Sequence, residues 1–154
     1  MAKPEGPRRH RRVRETAAPR YAADAHESVA GVLYDSDVII ELLRGQRSVV
    51  EAAHRLESSG APTYCSAASL AEIYAGIRPG EEAPTQAFFD ARGEIILDSQ
   101  IGRVAGSYLA RYARSHSLEL ADALIAAAAT TSGVHLWTRN RKHYPMADVR
   151  FYEE

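Results

Sequence analysis

The sequence contains a single cysteine, Cys65, among its 154 residues. One thiol cannot form an internal disulfide, and without a surrounding cluster of cysteines and histidines a zinc site is not expected. This pattern is typical of proteins in a reducing compartment, so we expect a cytoplasmic protein. The longest uninterrupted apolar run, residues 123–129, is too short to cross a bilayer. The sequence therefore predicts neither a membrane span nor a membrane partner.

The sequence also lacks the glycine-rich signatures of nucleotide binding. It has no Gly-x-Gly-x-x-Gly fingerprint and no phosphate-binding loop ending in Gly-Lys-Ser or Gly-Lys-Thr, so a nucleotide-binding role has no positive support. The composition, with 45% hydrophobic and 25% charged residues, is ordinary for a globular protein. A chain of this length is typical of one domain that buries roughly 70% of its unfolded surface.

Charge is distributed unevenly along the chain. Residues 1–14 carry six cations and one acid, whereas residues 30–154 carry twelve cations and sixteen acids. Residues 1–29 also contain three prolines and no apolar periodicity, which predicts a basic, disordered arm before a folded domain at 30–154. The mildly acidic body lacks the broad cationic surface that holds nucleic acid by charge alone. If it binds RNA, its own carboxylates must be neutralised.

Short apolar runs alternate with longer helical patterns in the body of the chain. The alternation, with mostly continuous apolar strands, predicts a parallel sheet covered by helices on both faces. We therefore expect a three-layer α/β/α domain with a short parallel sheet of four to five strands. The predicted strands are 32–34, 62–65, 95–97, 134–137 and a short fifth at 149–152. The predicted helices are about 38–43, 48–58, 67–77, 85–91, 101–116 and 121–131.

Four polar residues fall where such a sheet binds its ligands, at the carboxyl ends of the strands. Asp35 follows the first strand, Glu72 lies in the helix after the second, Asp122 begins the alanine-rich helix, and Asn140 follows the fourth strand. Each also has a structural interpretation: Asp35 could cap its helix, and Asp122 could favour the positive N-terminal end of its helix. Glu72 could face solvent, and Asn140 could be a turn residue. Glu72 stands in an apolar stretch, where an unpaired buried carboxylate would be costly, so we expect it to need a partner.

A divalent cation is one partner that such carboxylates could share. Carboxylates that converge in one cleft repel each other, whereas Mg²⁺ takes carboxylate, water and phosphate oxygens as ligands. A bound ion would make an acidic pocket accept phosphate, would activate water as a nucleophile and would stabilise the leaving oxygen. The pattern therefore favours metal-dependent chemistry on a phosphate ester.

Four segments, 31–45, 69–76, 120–126 and 136–145, resemble in order and spacing the motifs of VapC-type toxins of the PIN-domain family. The resemblance covers the chain from Gly31 onward, and the arm has no counterpart. It implies a PIN-like fold and a Mg²⁺-dependent endoribonuclease of a type II toxin–antitoxin system, with Mn²⁺ able to substitute. It also implies an RNA substrate, a VapB-type antitoxin that covers the active-site groove, and a homodimer.

The same resemblance assigns roles to the acidic residues. It implies that Asp35, Glu72 and Asp122 surround the metal, with Asp35 and Asp122 as its direct ligands. Many relatives carry a fourth acid where this chain has Asn140, so a second tightly held metal is not expected. Asn140 would instead orient water or phosphate as part of the catalytic set.

Supporting roles are expected for smaller groups at the same edge. Ser36 and Thr138 offer hydroxyls for phosphate or water, although both are ordinary turn residues. Asp37 is either an outer carboxylate of the site or a helix cap. Five cations could contact the RNA backbone at a rim of the site. They are Arg44, Arg78, Arg139, Arg141 and Lys142.

Two other functions remain open from the sequence. The run Asp35-Ser36-Asp37 resembles the nucleophile motif of haloacid-dehalogenase-type phosphatases, which also need a downstream lysine and a late acidic pair. Lys142 is the only lysine of the body, and the sequence has no Asp-Asp pair. The loss of a fourth acid is compatible with a catalytically weak PIN-fold binding module. The RNA that would be cut, whether transfer, ribosomal or messenger RNA, has no readable signature.

Overall fold

The computed structural model describes residues 30–154, and the predicted basic arm at 1–29 lies outside the described residues. Strands and helices alternate along most of the chain, as the sequence pattern predicts. The strands are β1 (Val32–Tyr34), β2 (Thr63–Ser66), β3 (Gly93–Ile95) and β4 (His135–Trp137). The helices are α1 (Ser36–Leu43), α2 (Arg47–Ser58), α3 (Ala67–Ala75), α4 (Glu82–Asp90), α5 (Ser99–His116) and α6 (Leu120–Ser132), with a 3₁₀ turn at Arg141–His143.

The four strands form one parallel sheet in the order β3-β2-β1-β4. Side chains alternate across it, so Val32 and Tyr34 of β1 pack with α1 and α2, whereas Leu33 packs with α5 and α6. This arrangement confirms the predicted α/β/α layers. β1 lies between β2 and β4: the chain runs outward from β1 to β2 and β3 on one side, and then returns past them to place β4 on the other side of β1. That reversal of strand order opens a crevice at the carboxyl end of β1, where ligands of such sheets bind.

Two predicted strands differ from the observed ones. The segment 149–152 is not a fifth strand, because it meets β4 only in the single parallel bridge between Leu136 and Phe151. β4 has only three residues, and both backbone hydrogen bonds of the bridge fall on Leu136. The third strand is Gly93–Ile95 and stops before Ile96, whose side chain is 66% exposed, because its partner β2 ends opposite Ile95.

The layer of α5 and α6 is held close by small side chains. The alanines of α6 at 123 and 126–129 are at most 1% exposed, and they let this helix approach the sheet and α5 closely. On the other face, Tyr34 packs edge-on against Trp137 with ring centroids 5.0 Å apart. The two cores fix the starts of α1 and α6 at the same edge of the sheet. Within the described part of the chain, no helix is long and apolar enough to span a bilayer.

The ring of Tyr64 lies against two glycines, Gly31 just before β1 and Gly93 at the start of β3, which suggests a test of the sheet packing. A Cβ at Gly31 would lie 2.7 Å from the ring and 3.1 Å from Val134. A Cβ at Gly93 would lie 2.6 Å from the opposite edge of the ring, so the ring has little room to move. We expect Gly31→Ala to lower the free energy of unfolding by about 1–3 kcal/mol, measured by urea denaturation.

Gly106→Ala is the matched control for this substitution. Gly106 lies inside α5, and a Cβ there would meet no atom within 4 Å. Alanine is the better helix former, so this change should raise the free energy of unfolding by about 0.5–1 kcal/mol. An equal loss of stability from both substitutions would contradict the packing of Tyr64 between the strands.

Candidate active site

Asp35 lies at the carboxyl end of β1 and begins α1. Its backbone N–H donates to the carbonyl of Trp137 at 2.9 Å, which fixes it beside the end of β4. Its Oδ1 accepts from the backbone N–H of Ser36 at 2.7 Å, so it is the N-cap of α1 as well as a candidate site residue. Its Oδ2 accepts from the hydroxyl of Tyr144 at 2.8 Å. The carboxyl group is only 5% exposed.

Burial dominates the electrostatics of this carboxyl group. It raises the pKa of Asp35 to about 7, and the neighbouring charge of Asp37 adds to the effect, while hydrogen bonds from Thr138, Tyr144 and Ser36 oppose it. Burial also raises the pKa of Asp37 above its ordinary value. Neither carboxylate forms an ion pair with any residue between 30 and 154. Negative charge at this edge is therefore costly until a cation or a proton arrives.

Asp122 reaches the same place from the first turn of α6. Its Oδ2 accepts from the backbone N–H of Glu119 at 3.3 Å, as the N3 member of a capping box. Its Oδ1 lies 3.4 Å from the hydroxyl of Tyr144, the group that donates to Asp35. Residues far apart along the chain are thus joined by one hydroxyl.

Tyr144 is the site residue that sequence reasoning missed. It lies in the motif 136–145, but the sequence predicted no role for it. It is 3% exposed, and burial together with the charges of Asp35 and Asp122 raises the pKa of its hydroxyl, which therefore stays protonated and able to donate. A tyrosine among the polar residues that follow β4 was the available signal, because a buried tyrosine hydroxyl needs a partner.

Glu72 lies on the exposed face of α3, so of the two sequence interpretations the solvent-facing one describes its position, and its carboxylate is not buried. The apolar run around it is explained by the other face of α3, where Ala68 and Ile73 are buried. Glu72 nevertheless reaches the site, because the hydroxyl of Ser36 donates to its Oε2. It is therefore connected to the residue that follows Asp35.

Asp37 connects the start of α1 to the loop after β4. Its Oδ1 accepts from the backbone N–H of Val38 at 2.7 Å, and its Oδ2 accepts from the backbone N–H of Arg139 at 3.0 Å. The hydroxyl of Thr138 lies 3.4 Å from the same oxygen and accepts from the backbone N–H of Asn140 at 3.1 Å. Thr138 and Asn140 therefore lie at the predicted edge. Asp37 holds this loop in place and acts as more than a cap.

The donor set fits a divalent cation in its chemistry. Within 30–154, no three His, Cys, Asp or Glu side chains are gathered closely enough to form one coordination shell. The carboxylates are instead connected through hydroxyl groups, Asp35 to Asp122 by Tyr144 and the turn at Ser36 to Glu72. Carboxylate oxygens are the ligands that Mg²⁺ prefers, and Asp35 is buried without a cationic partner in the described chain.

The predicted cationic rim divides into two pairs of arginines and one separate lysine. Arg139 lies 3.4 Å from Glu41 and 3.6 Å from Glu154, and Arg141 lies 2.7 Å from Glu153, so acidic residues already pair with both. Arg44 and Arg78 instead line a groove of about 240 Å³ beside Glu72, with apolar residues of α1 and α3. Lys142 is exposed on the 3₁₀ turn.

The fold and the site together define a small α/β protein with an acidic cleft at the carboxyl edge of a parallel sheet. The chain belongs to the PIN-domain family, whose sequence profile matches residues 32–149. It is 32% identical over 115 residues to Ribonuclease VapC19 of Mycobacterium tuberculosis, covering 74% of this chain and 92% of the relative. It is 37% identical over 118 residues to Ribonuclease VapC10 of the same organism, covering 75% and 86%.

Structural comparison supports the same fold. A chain in the crystal structure of DNA-bound VapBC from Salmonella typhimurium superposes with a TM-score of 0.68 and 18% identity, covering 80% of this chain and 97% of that one. The prediction that the chain is a VapC-type member of the PIN-domain family is therefore confirmed.

The raised pKa of Asp35 predicts how pH changes stability in metal-free protein. The folded protein keeps a proton on Asp35 up to about pH 7, whereas the unfolded chain releases it near 3.8. The contribution of Asp35 to the free energy of unfolding is therefore lost as pH rises from about 4 to about 7, and it does not return at higher pH. In the presence of a chelator at pH 8, the free energy of unfolding of Asp35→Asn should be about 2–4 kcal/mol higher than that of the native sequence.

Denaturant melts across this pH range measure the difference between the two proteins. The difference should shrink toward zero near pH 4. Asp90→Asn, at an exposed position on α4, is the control and should show no such trend. A stability difference that stays constant with pH would contradict the raised pKa.

Proposed function

We propose that this protein is an endoribonuclease toxin of a type II toxin–antitoxin system that hydrolyses RNA phosphodiester bonds with the help of Mg²⁺, for which Mn²⁺ can substitute. The observation that carries the proposal is the meeting of Asp35 and Asp122 at one hydroxyl, at the carboxyl end of the central strand. Relatives of the chain at 32% and 37% identity are named ribonucleases, which supports the same chemistry.

In this proposal, the ion is held by Asp35 and Asp122, with Glu72 close by. When bound, Mg²⁺ supplies positive charge for a phosphate oxygen and lowers the pKa of water. Glu72 is exposed and held by the hydroxyl of Ser36, so it is placed to take a proton from attacking water. Thr138 and Asn140 have the proposed role of orienting water or phosphate.

We also propose a cognate VapB-type antitoxin as partner, and a homodimer that acts in the cytoplasm. The Salmonella relative was solved as a VapBC assembly on DNA, which supports an antitoxin here. The groove beside Glu72 offers apolar side chains of α1 and α3 together with Arg44 and Arg78, a suitable surface for an amphipathic segment. A segment bound there would cover one side of the acidic cleft.

A phosphatase that uses Asp35 as a covalent nucleophile is disfavoured by the contacts of that residue. Both of its oxygens accept hydrogen bonds, and its side chain is 5% exposed. Incubation with a phosphatase reporter and with structured RNA separates the two reactions. Phosphate release without RNA scission would support the phosphatase, and neither reaction would support a binding module.

Removal of one proposed metal ligand should abolish cleavage. Asp122→Asn keeps the size of the side chain but removes its charge, so Mg²⁺-dependent cleavage of RNA should fall at least about 100-fold, as expected when a metal-ion site is broken. Addition of EDTA to the native sequence should have the same effect. Both are measured with RNA labelled at the 5′ end, and cleavage that survives EDTA would refute metal dependence.

Asp90→Asn serves as the control for this loss. Asp90 is exposed at the end of α4 and outside the cluster of carboxylates, so cleavage should be unchanged. Circular dichroism of each variant checks that the fold is kept. Cleavage by Asp122→Asn at the native rate would exclude the proposed site even if the protein proved to be a ribonuclease.

The two groups of rim cations should differ in RNA binding. Arg44 and Arg78 have no ion pair in the described chain, so the double change Arg44→Gln, Arg78→Gln should weaken binding. It should also reduce the salt dependence of log K by about 1.4, because each phosphate of a single strand that is no longer neutralised accounts for roughly 0.7. Fluorescence anisotropy in the Asp122→Asn background measures binding without cleavage.

A double change on α5 is the matched control for charge. Arg103 and Arg114 are exposed on the opposite face of the sheet from α1, so Arg103→Gln, Arg114→Gln should leave RNA affinity nearly unchanged. If both double variants lose the same affinity, net charge and not the groove beside Glu72 governs binding.

A further inference from the structure

Tyr144 presents one hydroxyl to two carboxylates from different parts of the chain. It follows the 3₁₀ turn after β4, and its ring packs against Phe151 with centroids 6.4 Å apart. The hydroxyl donates to Oδ2 of Asp35 at 2.8 Å and lies 3.4 Å from Oδ1 of Asp122. The loop after β4 thereby contacts the ends of β1 and α6 at one atom.

The chemistry of this contact is unequal. A phenol has one proton, so at any moment it donates to a single carboxylate. The shorter distance assigns that hydrogen bond to Asp35. The longer distance leaves the lone pairs on Oδ1 of Asp122 available to a cation. A neutral donor between two acids also reduces their repulsion and limits how far apart they move.

We propose that Tyr144 is a positioning residue that holds Asp35 and Asp122 at the spacing and orientation needed to bind a divalent cation. This inference rests on the proposed function, which supplies the cation. Partners that hydrogen-bond to metal ligands commonly set ligand orientation, and their loss typically lowers metal affinity 10–100-fold. The hydroxyl adds nothing to the packing of the ring on Phe151, so its contribution can be separated from that of the aromatic side chain.

The chain provides a matched control in Tyr108 of α5. Tyr108 is also buried, at 7% exposure, and its hydroxyl donates to Asp148 at 2.7 Å and lies 3.1 Å from the hydroxyl of Thr130. It has the same pairing of phenol and carboxylate, but none of its partners belongs to the proposed site. Tyr108→Phe therefore removes an equivalent hydrogen bond without touching Asp35 or Asp122.

The test is calorimetric titration of Mn²⁺ into metal-free full-length protein at one pH. We expect Tyr144→Phe to bind Mn²⁺ about 10-fold more weakly than the native sequence, whereas Tyr108→Phe should bind it with unchanged affinity. The thermal shift that Mg²⁺ produces in the native protein should shrink in Tyr144→Phe only. Replacement of Tyr144 by 4-aminophenylalanine, which keeps a donor at the same position, should restore affinity.

Each result decides between the proposals. If the native protein binds no Mn²⁺ and cuts no RNA, the proposed function fails. If the native protein binds Mn²⁺ and Tyr144→Phe binds it equally or more tightly, the positioning role is wrong while the function stands. A Tyr144→Phe protein that does not fold, or an equal loss of affinity in Tyr108→Phe, would show a merely structural role and also overturn the inference.

Discussion

A carboxyl group placed at the end of a buried strand, and linked through one tyrosine hydroxyl to a carboxylate of α6, governs the organisation of this protein. Asp35 cannot be moved to solvent, because its backbone is bonded to Trp137 and its side chain caps α1. Its charge is unfavourable in that place, since burial raises its pKa to about 7. The fold keeps the group there by surrounding it with hydrogen-bond donors. Such sites, where a structural and an electrostatic requirement conflict, are where function is expected.

The parallel sheet explains why distant residues meet. Every strand points in the same direction, so the segments that follow β1 and β4 emerge at one edge, and α3 and α6 begin or pass beside it. The starts of α1 and α6 carry their polar residues for local reasons, the cap at Asp35 and the capping box at Asp122. The capping and site interpretations are therefore compatible, because one carboxylate has two oxygens. Local helix chemistry fixes one oxygen, and the other faces the shared cleft.

The fold was largely predictable because its signals are local. Apolar runs gave the four strands, and glycine and proline marked most helix ends, whereas the 149–152 segment was over-interpreted because an apolar run does not show whether a partner strand is long enough to pair. Asp35 and Asp122 were predictable from their places after a strand and at a helix start. Tyr144 was not, since its role depends on a contact across 109 residues with Asp35. The exposure of Glu72 was left undecided, because composition does not show which face of α3 is buried.

The arginines close to the cleft show how its negative charge is maintained. The backbone N–H of Arg139 donates to Asp37, yet its guanidinium group turns to Glu41 and Glu154, and Arg141 pairs with Glu153. An arginine turned inward would neutralise the carboxylates by itself and would leave no need for an external cation. Glu41 and the two acidic residues beyond Tyr152 hold these side chains away from the cleft. The same pairing lowers the positive charge that RNA meets on this side, and it makes the side with Arg44 and Arg78 the more attractive path for a phosphate backbone.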